Sequence, residues 1–157
     1  HENSLDNQGN RIVHALLNEA NLTNNSNFSS MLQNLNGARQ LSTVLRFDET
    51  GVRLNPQSAV VLKALISDLI LGNYADQTLI IAGFSDSKKS TAESKRISKS
   101  AATIVSNLIK GADSDTLFSD LRIEVIGYGN ASPIACEDTP SGIAANNRIE
   151  IWVKDGL

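Results

Sequence analysis

Cysteine, histidine and aromatic residues are scarce in this sequence. It holds one cysteine, two histidines and one tryptophan, and aromatic side chains make up 4% of its 157 residues. Cys136 has no second cysteine with which to form an internal disulfide. Metal-ligand spacing, a phosphate-binding glycine loop and a Ser-His-Asp arrangement are all missing. These absences exclude a disulfide scaffold and give no sign of an enzyme, a metal site or a cofactor.

Long apolar runs and an excess of positive charge are absent too. No segment approaches the roughly 18–20 apolar residues needed to cross a bilayer. Residues 1–20 contain Glu2, Asp6 and Arg11 in place of the apolar core of a signal peptide. The net charge of −3 argues against nucleic-acid binding, which usually requires a basic stripe. A hydrophobic content of 41% is ordinary for a globular protein, so the length predicts one domain with appendages.

The first 40 residues predict a partly helical N-terminal extension. Apolar residues recur at helical spacing over residues 11–20, which indicates a short amphipathic helix. A second helix is predicted over residues 28–35, after an asparagine-rich loop. We interpret residues 1–40 as an extension, or as the tail of a preceding domain, and residues 41–157 as the main domain.

The main domain alternates strand and helix patterns. Two helices are predicted, one between the N-terminal signal Asn55-Pro56 and Gly72, and one after the loop at residues 87–90. Residues 130–145, which contain two prolines, are predicted to form a long loop. Strands are predicted over residues 41–47, 79–82, 121–126 and 148–153. The order β-α-β-α-β-β predicts an α+β sandwich, a mixed sheet with helices on one face.

The end of the second predicted strand carries the most informative local pattern. The strand ends in Gly-Phe-Ser-Asp at residues 83–86, so Asp86 lies just beyond a strand end, where a carboxylate stays hydrated enough to ionise. In the helix that follows, apolar residues at helical spacing predict a buried face made of Ile97, Ala101, Ile104, Val105 and Leu108.

Four short motifs follow one another in a fixed order. They are Gly-Phe-Ser-Asp at residues 83–86, Ile97-Ser98, Gly-Tyr-Gly-Asn-Ala-Ser-Pro at residues 127–133 and Asn-Asn-Arg-Ile-Glu-Ile at residues 146–151. Because the motifs occur in this order, the chain resembles the OmpA C-terminal-like family. This is the periplasmic domain shared by outer-membrane protein A, peptidoglycan-associated lipoprotein and flagellar stator proteins. The resemblance covers most of the chain, roughly residues 41–154.

The resemblance implies a non-enzymatic periplasmic domain that binds peptidoglycan non-covalently and anchors the outer membrane or another envelope component of a Gram-negative bacterium. In the family, an aspartate and an arginine hold the ammonium and carboxylate groups of diaminopimelate in the peptide stem. Asp86 matches the aspartate, whereas the arginine position is occupied by Ala101. The family's loop asparagine, eight residues after the aspartate, is Ser94 here.

A different cation is therefore needed to complete the expected site. Arg148 is the best candidate, in a segment that resembles the family's Asn-Arg-Arg-Val, where Asn147 replaces the first arginine. The expected ligand-binding residues are Asp86, Ser85, Ser94, Arg148 and Asn147. Losing one charged hydrogen-bond partner costs about 1.5–3 kcal/mol, so the absence of an arginine at position 101 predicts weakened binding.

Other interpretations remain open at this point. Asp86 is alternatively a turn residue that binds its own backbone, and Arg148 an exposed strand residue paired with Glu124 or Glu150. The domain as a whole is alternatively a degenerate module for protein interaction or dimerisation, or the C-terminal anchor of a solute-binding protein. A basic patch near the helix start is typical of a solvated face, or favours an anionic glycan or lipid; it consists of Lys88, Lys89, Lys95, Arg96 and Lys99.

Overall fold

The computed structural model describes residues 22–48, 51–72, 74, 76–112 and 121–156. Its elements in chain order are α1 (Leu22–Asn34), β1 (Ala38–Leu45), α2 (Pro56–Ile70), β2 (Gln77–Phe84), α3 (Thr91–Gly111), β3 (Arg122–Gly127), α4 (Pro140–Asn146) and β4 (Arg148–Asp155). The four described strands form one sheet in the order β1-β4-β2-β3. β2 and β3 are parallel, and β4 runs antiparallel to both of its neighbours. The mixed sheet confirms the predicted α+β class.

The two long helices α2 and α3 share one face of the sheet with the larger core. α2 begins as the sequence predicts, because Asn55 Oδ1 accepts the backbone N–H of Ser58 at 2.8 Å and Pro56 occupies the first turn. Alternate residues of each strand point to this face. The core that results joins Leu45, Leu62, Leu65, Leu79, Ile81, Val105, Ile109, Ile149 and Ile151.

Small residues form much of the buried face of α3. Of the predicted face only Val105 is fully buried, and Leu108 is 46% exposed. The helix backbone lies directly against the strands, since a Cβ built at Gly83 would be 2.0 Å from the carbonyl oxygen of Ser98. Glycine in a strand permits this close approach. A pattern of hydrophobic residues does not reveal such a close approach, which explains why the predicted buried face was largely wrong. The observed buried face consists of Ser94, Ser98, Ala102, Val105, Ser106 and Ile109.

The helix α1 packs on the opposite face of the sheet. Phe28 and Met31 of α1, together with Leu35 just beyond its end, belong to a second buried cluster with Ile80 and Trp152. The helix begins at residue 22, six residues before the predicted start, and β1 begins three residues before its predicted start. The helix predicted at residues 11–20 lies outside the described residues, and the domain boundary at residue 41 stays a prediction.

The sequence pattern predicted a loop over all of residues 130–145. This is wrong in part, because most of α4 lies within this segment. Thr139 Oγ1 accepts the backbone N–H of Gly142 at 3.1 Å, and Pro140 starts the helix. Helical periodicity cannot be recognised in seven residues, so only this cap signals the helix. Gly142 is needed here, because a Cβ would lie 1.6 Å from the carbonyl oxygen of Cys136.

Tyr128 gives the fold a testable dependence on alkaline pH. Burial raises the pKa of Tyr128 above its ordinary value of 10.0; the side chain of Asn34 partly offsets this, and the charge of Glu124 adds to it. The unfolded phenol therefore ionises first, and the free energy of unfolding falls as the pH rises above about 10. We expect urea denaturation to show a steeper fall for the wild type than for Tyr128→Phe. Equal slopes would contradict this assignment.

Candidate ligand-binding site

The end of β2 and the start of β4 lie side by side, which brings the predicted site residues together. Phe84 pairs with Arg148 in the sheet, so Asp86 and Arg148 lie at the same end. The backbone N–H of Asp86 donates to Asn147 Oδ1 at 2.9 Å, and Asn147 Nδ2 donates to Asp86 Oδ2 at 2.8 Å. This reciprocal pair fixes the loop after β2 to the junction between α4 and β4.

Asp86 also shapes its own turn. Its Oδ1 accepts the backbone N–H of Lys88 at 2.9 Å, so the turn interpretation of Asp86 is confirmed. The side chain is nevertheless partly exposed, and an ionised carboxylate has about four acceptor positions. The two hydrogen bonds therefore leave room for a ligand cation. Ligand binding by Asp86 stays a prediction.

Ser85 and Ser94 join the same loop to α3 from inside the protein. Ser85 Oγ donates to the carbonyl oxygen of Ser94 at 2.9 Å, and Ser94 Oγ donates to the carbonyl oxygen of Asp86 at 3.1 Å. Both residues are buried. Their hydroxyls thus bind the protein backbone and hold Asp86 in place, and a direct ligand contact by either residue stays a prediction.

Arg148 is enclosed by the protein, so the interpretation as an exposed strand residue is wrong. It is 2% exposed, and its Nε donates to Glu150 Oε2 at 2.8 Å. Nη2 donates to the carbonyl oxygen of Ser132 at 2.9 Å, and the guanidinium carbon lies 4.1 Å from the centre of the Phe84 ring. The expected ion pair with Glu150 is confirmed, and it is only the exposure of Arg148 that was wrong. This geometry favours a positioning role over direct ligand binding, which stays a prediction.

Asn146 and Glu137 support the site, and neither was predicted to do so. Asn146 Oδ1 accepts the backbone N–H groups of Ile134 and Ala135 at 2.7 and 3.0 Å. Its Nδ2 donates to Glu137 Oε2 at 2.8 Å, and Glu137 in turn accepts hydrogen bonds from the backbone and hydroxyl of Ser87. The loop at residues 130–139 is thereby connected to the loop that carries Asp86. Only the position of Asn146 in a recognised motif signalled this role.

A cavity of about 470 Å³ opens beside this hydrogen-bonded network. Of the expected ligand-binding residues, Ser85, Asn147 and Arg148 line it, as does Ala101. Asp86 and Ser94 are not lining residues, and Asp86 lies beside the cavity through its hydrogen bonds with Asn147. Arg46, which directly follows β1, lines it too. A site at this position therefore has cationic side chains in its wall even though residue 101 is alanine. The rest of the lining is largely apolar and includes Phe47, Ile97 and Ile149.

The basic patch at the start of α3 is solvated. Its residues are exposed, and Arg96 Nη2 lies 3.4 Å from Glu93 Oε1 with side chains 68% and 48% exposed. Such a pair contributes little to stability. In the described part of the chain, no three acidic, histidine or cysteine side chains group to hold a metal ion. No helix in that part is both long and apolar enough to span a bilayer.

Comparison with known proteins places this architecture in a family. The OmpA family model matches residues 46–148, which include Arg46, Asp86, Ala101 and Arg148. The chain belongs to the OmpA family. Its fold is shared with the peptidoglycan-associated lipoprotein from Burkholderia pseudomallei, at a TM-score of 0.59 and 16% identity, over 72% of this chain and 91% of that one. The cell wall anchor of the T6SS from Pseudomonas aeruginosa gives a TM-score of 0.54 at 18% identity, over 82% and 94%.

Two curated relatives are similar in sequence to this OmpA-family chain. Probable lipoprotein YiaD from Escherichia coli (strain K12) is 30% identical over 107 residues, which are 67% of this chain and 45% of the relative. Sodium-type flagellar protein MotY from Vibrio parahaemolyticus is 31% identical over 109 residues, 69% of this chain and 36% of the relative. The chain therefore spans less than half of the length of either relative.

Proposed function

We propose that this chain binds peptidoglycan non-covalently in the periplasm of a Gram-negative bacterium and anchors its protein to the cell wall, without catalysing a reaction. The observation that carries the proposal is the partly exposed Asp86, held at a strand end beside a cavity of about 470 Å³. Membership of the OmpA family supports it. The similar folds of a peptidoglycan-associated lipoprotein and a cell wall anchor add support.

The ligand we propose is the diaminopimelate residue of the peptide stem. Its free end carries an ammonium and a carboxylate, so it requires one anionic and one cationic partner. Asp86 would accept charge-assisted hydrogen bonds from the ammonium group. Asn147 and Ser85, which lie beside Asp86 and line the cavity, would complete the polar wall. Arg148 would position Asn147 by fixing the start of β4 from the interior.

Sedimentation with purified sacculi tests the function directly. We expect the full chain to pellet with sacculi and to be released by soluble stem peptide that contains diaminopimelate. An OmpA-like domain without known wall affinity, or albumin at equal concentration, sets the background. A chain that stays in the supernatant at that background level would overturn the proposal.

Restoring the family arginine is expected to strengthen binding. Ala101 is partly exposed in the cavity wall, so Ala101→Arg has space to direct a guanidinium into the cavity. A restored charged hydrogen bond is worth about 1.5–3 kcal/mol, and titration calorimetry with a diaminopimelate stem peptide would measure the gain. Ser100→Arg, which adds the same charge at an exposed position of α3, is the matched control. No difference between these variants would mean that Ala101 does not weaken binding.

A protein-interaction role is the second candidate. Large apolar side chains are exposed near α2, with Val60 at 68% and Leu71 at 75%. Such residues favour a partner or a second copy of the chain when they form a patch. Wild-type protein that fails to bind sacculi but dimerises in sedimentation-velocity experiments would favour this candidate.

A further inference from the structure

The cavity lacks an arginine at position 101, and the guanidinium of Arg148 is already enclosed. Arg46 lines the same cavity from the end of β1. We propose that Arg46 binds a carboxylate of the peptidoglycan stem peptide and so partly compensates for the arginine that Ala101 replaces. This inference rests on the proposed function, because it identifies the cation of that site.

The backbone of Arg46 is held on both sides. Its N–H donates to Ser58 Oγ at 2.8 Å, and its carbonyl oxygen accepts the N–H of Asn55 at 3.0 Å. Both partners belong to the start of α2, and Ser58 is buried. The side chain of Arg46 therefore projects from a rigid base, which lowers the entropy lost when a ligand is bound.

The side chain of Arg46 reaches the α4–β4 junction, to which Asp86 is also hydrogen-bonded. Its Nη2 donates to the carbonyl oxygen of Ala145 at 3.3 Å, and Ala145 precedes Asn147 by two residues. Asn147 is the residue that exchanges hydrogen bonds with Asp86. A cationic and an anionic side chain thus approach the α4–β4 junction from different elements. A zwitterionic group needs such an arrangement.

The present contact leaves Arg46 able to bind an anion. A guanidinium carries five N–H donors, and the hydrogen bond to Ala145 is long and ends on a neutral carbonyl. A carboxylate binds a guanidinium through two shorter, charge-assisted hydrogen bonds. The apolar lining by Phe47, Ile97 and Ile149 lowers the local dielectric and strengthens that attraction. Asp48 also lines the cavity, so its wall contains side chains of both charges.

Two synthetic stem peptides isolate the carboxylate that Arg46 would bind. One peptide contains diaminopimelate, whose free end carries an ammonium and a carboxylate. The other has lysine at the same position, which keeps the ammonium but lacks that carboxylate. Calorimetric titration of the wild type should give about tenfold preference for the diaminopimelate peptide. Arg46→Gln should lose this preference while it still binds both peptides through Asp86. Arg46→Lys, which keeps a charge without the bidentate geometry, should keep part of it.

Two further variants control the experiment. Arg39→Gln removes a charge from an exposed position at the other end of β1 and should keep the wild-type preference. Ala101→Arg in the Arg46→Gln background should restore the preference, since both positions line one cavity. Circular dichroism confirms that each variant is folded.

The outcomes separate this inference from the proposed function. Loss of the preference in Arg46→Gln, together with its return in the double variant, supports Arg46 as the carboxylate-binding residue. A wild-type protein that prefers diaminopimelate while Arg46→Gln keeps the preference overturns the inference alone. Equal wild-type affinity for both peptides also overturns the inference alone, because the carboxylate at the free end of diaminopimelate is then not recognised. A wild-type protein that binds neither peptide nor sacculi overturns the proposed function and this inference with it.

Discussion

Replacing Glu150 with alanine should destabilise the protein by about 3–5 kcal/mol. Glu150 and Arg148 are each 2% exposed, and their side chains are joined at 2.8 Å. Removal of the carboxylate would leave the guanidinium charged and buried without its counter-ion. It would also remove the acceptor for Trp152 Nε1, which donates to Glu150 Oε1 at 3.1 Å. Equilibrium denaturation in guanidinium chloride would measure the loss.

An exposed ion pair of the same chain provides the control. Glu93→Ala breaks the pair with Arg96 on the surface of α3, where the expected change is within about 0.5 kcal/mol. A second comparison uses Arg148→Met together with Glu150→Leu, which should cost less than Glu150→Ala because no buried charge is left unpaired. A cost of Glu150→Ala as small as that of Glu93→Ala would show that water reaches Arg148 in solution.

The strand pattern predicted where β4 lies but not what surrounds it. Its alternation indicates two faces, one with Ile149, Ile151 and Val153 and one with Arg148, Glu150 and Trp152. The second face looks exposed in the sequence, yet nearly the whole strand is buried. Burial is possible there because two opposite charges two residues apart neutralise each other, and because α1 covers the neighbouring part of this sheet face. Periodicity describes one element at a time and does not reveal such a covering helix.

The sequence predicted only those residues of the candidate site that lie in recognisable motifs. Asp86 and Asn147 stand in short motifs with a fixed order, so a sequence comparison can find them. Arg46 has no motif, and its contact with Ala145 joins residues that are 99 positions apart. Glu137 likewise gains its role from the packing of a loop against Asn146 and Ser87. Residues of this kind become visible only once the sheet order brings β1 and β4 together.

Replacing Asp86 with asparagine is expected to weaken binding to sacculi and to diaminopimelate stem peptide by about ten- to a hundredfold. The proposed ammonium contact depends on the negative charge, and a lost charged hydrogen bond costs about 1.5–3 kcal/mol. The turn itself should survive, because the asparagine side chain keeps an oxygen that can accept the N–H of Lys88. Sacculus sedimentation and calorimetric titration would both measure the loss.

The pair formed with Asn147 adds a smaller effect that must be separated from the charge. Asn147 Nδ2 donates to both Asp86 Oδ2 and the carbonyl oxygen of Ile143. In Asp86→Asn the new NH2 group would face the NH2 group of Asn147, and two donors cannot form a hydrogen bond. We expect this to cost about 1 kcal/mol of stability. Asn147→Ala breaks the same pair but leaves the charge of Asp86 in place. If the charge binds the ligand, Asp86→Asn loses more affinity than Asn147→Ala, which removes the pair and the polar wall contact of Asn147 but keeps the negative charge. Equal binding by Asp86→Asn and the wild type would instead leave Asp86 as a turn residue only.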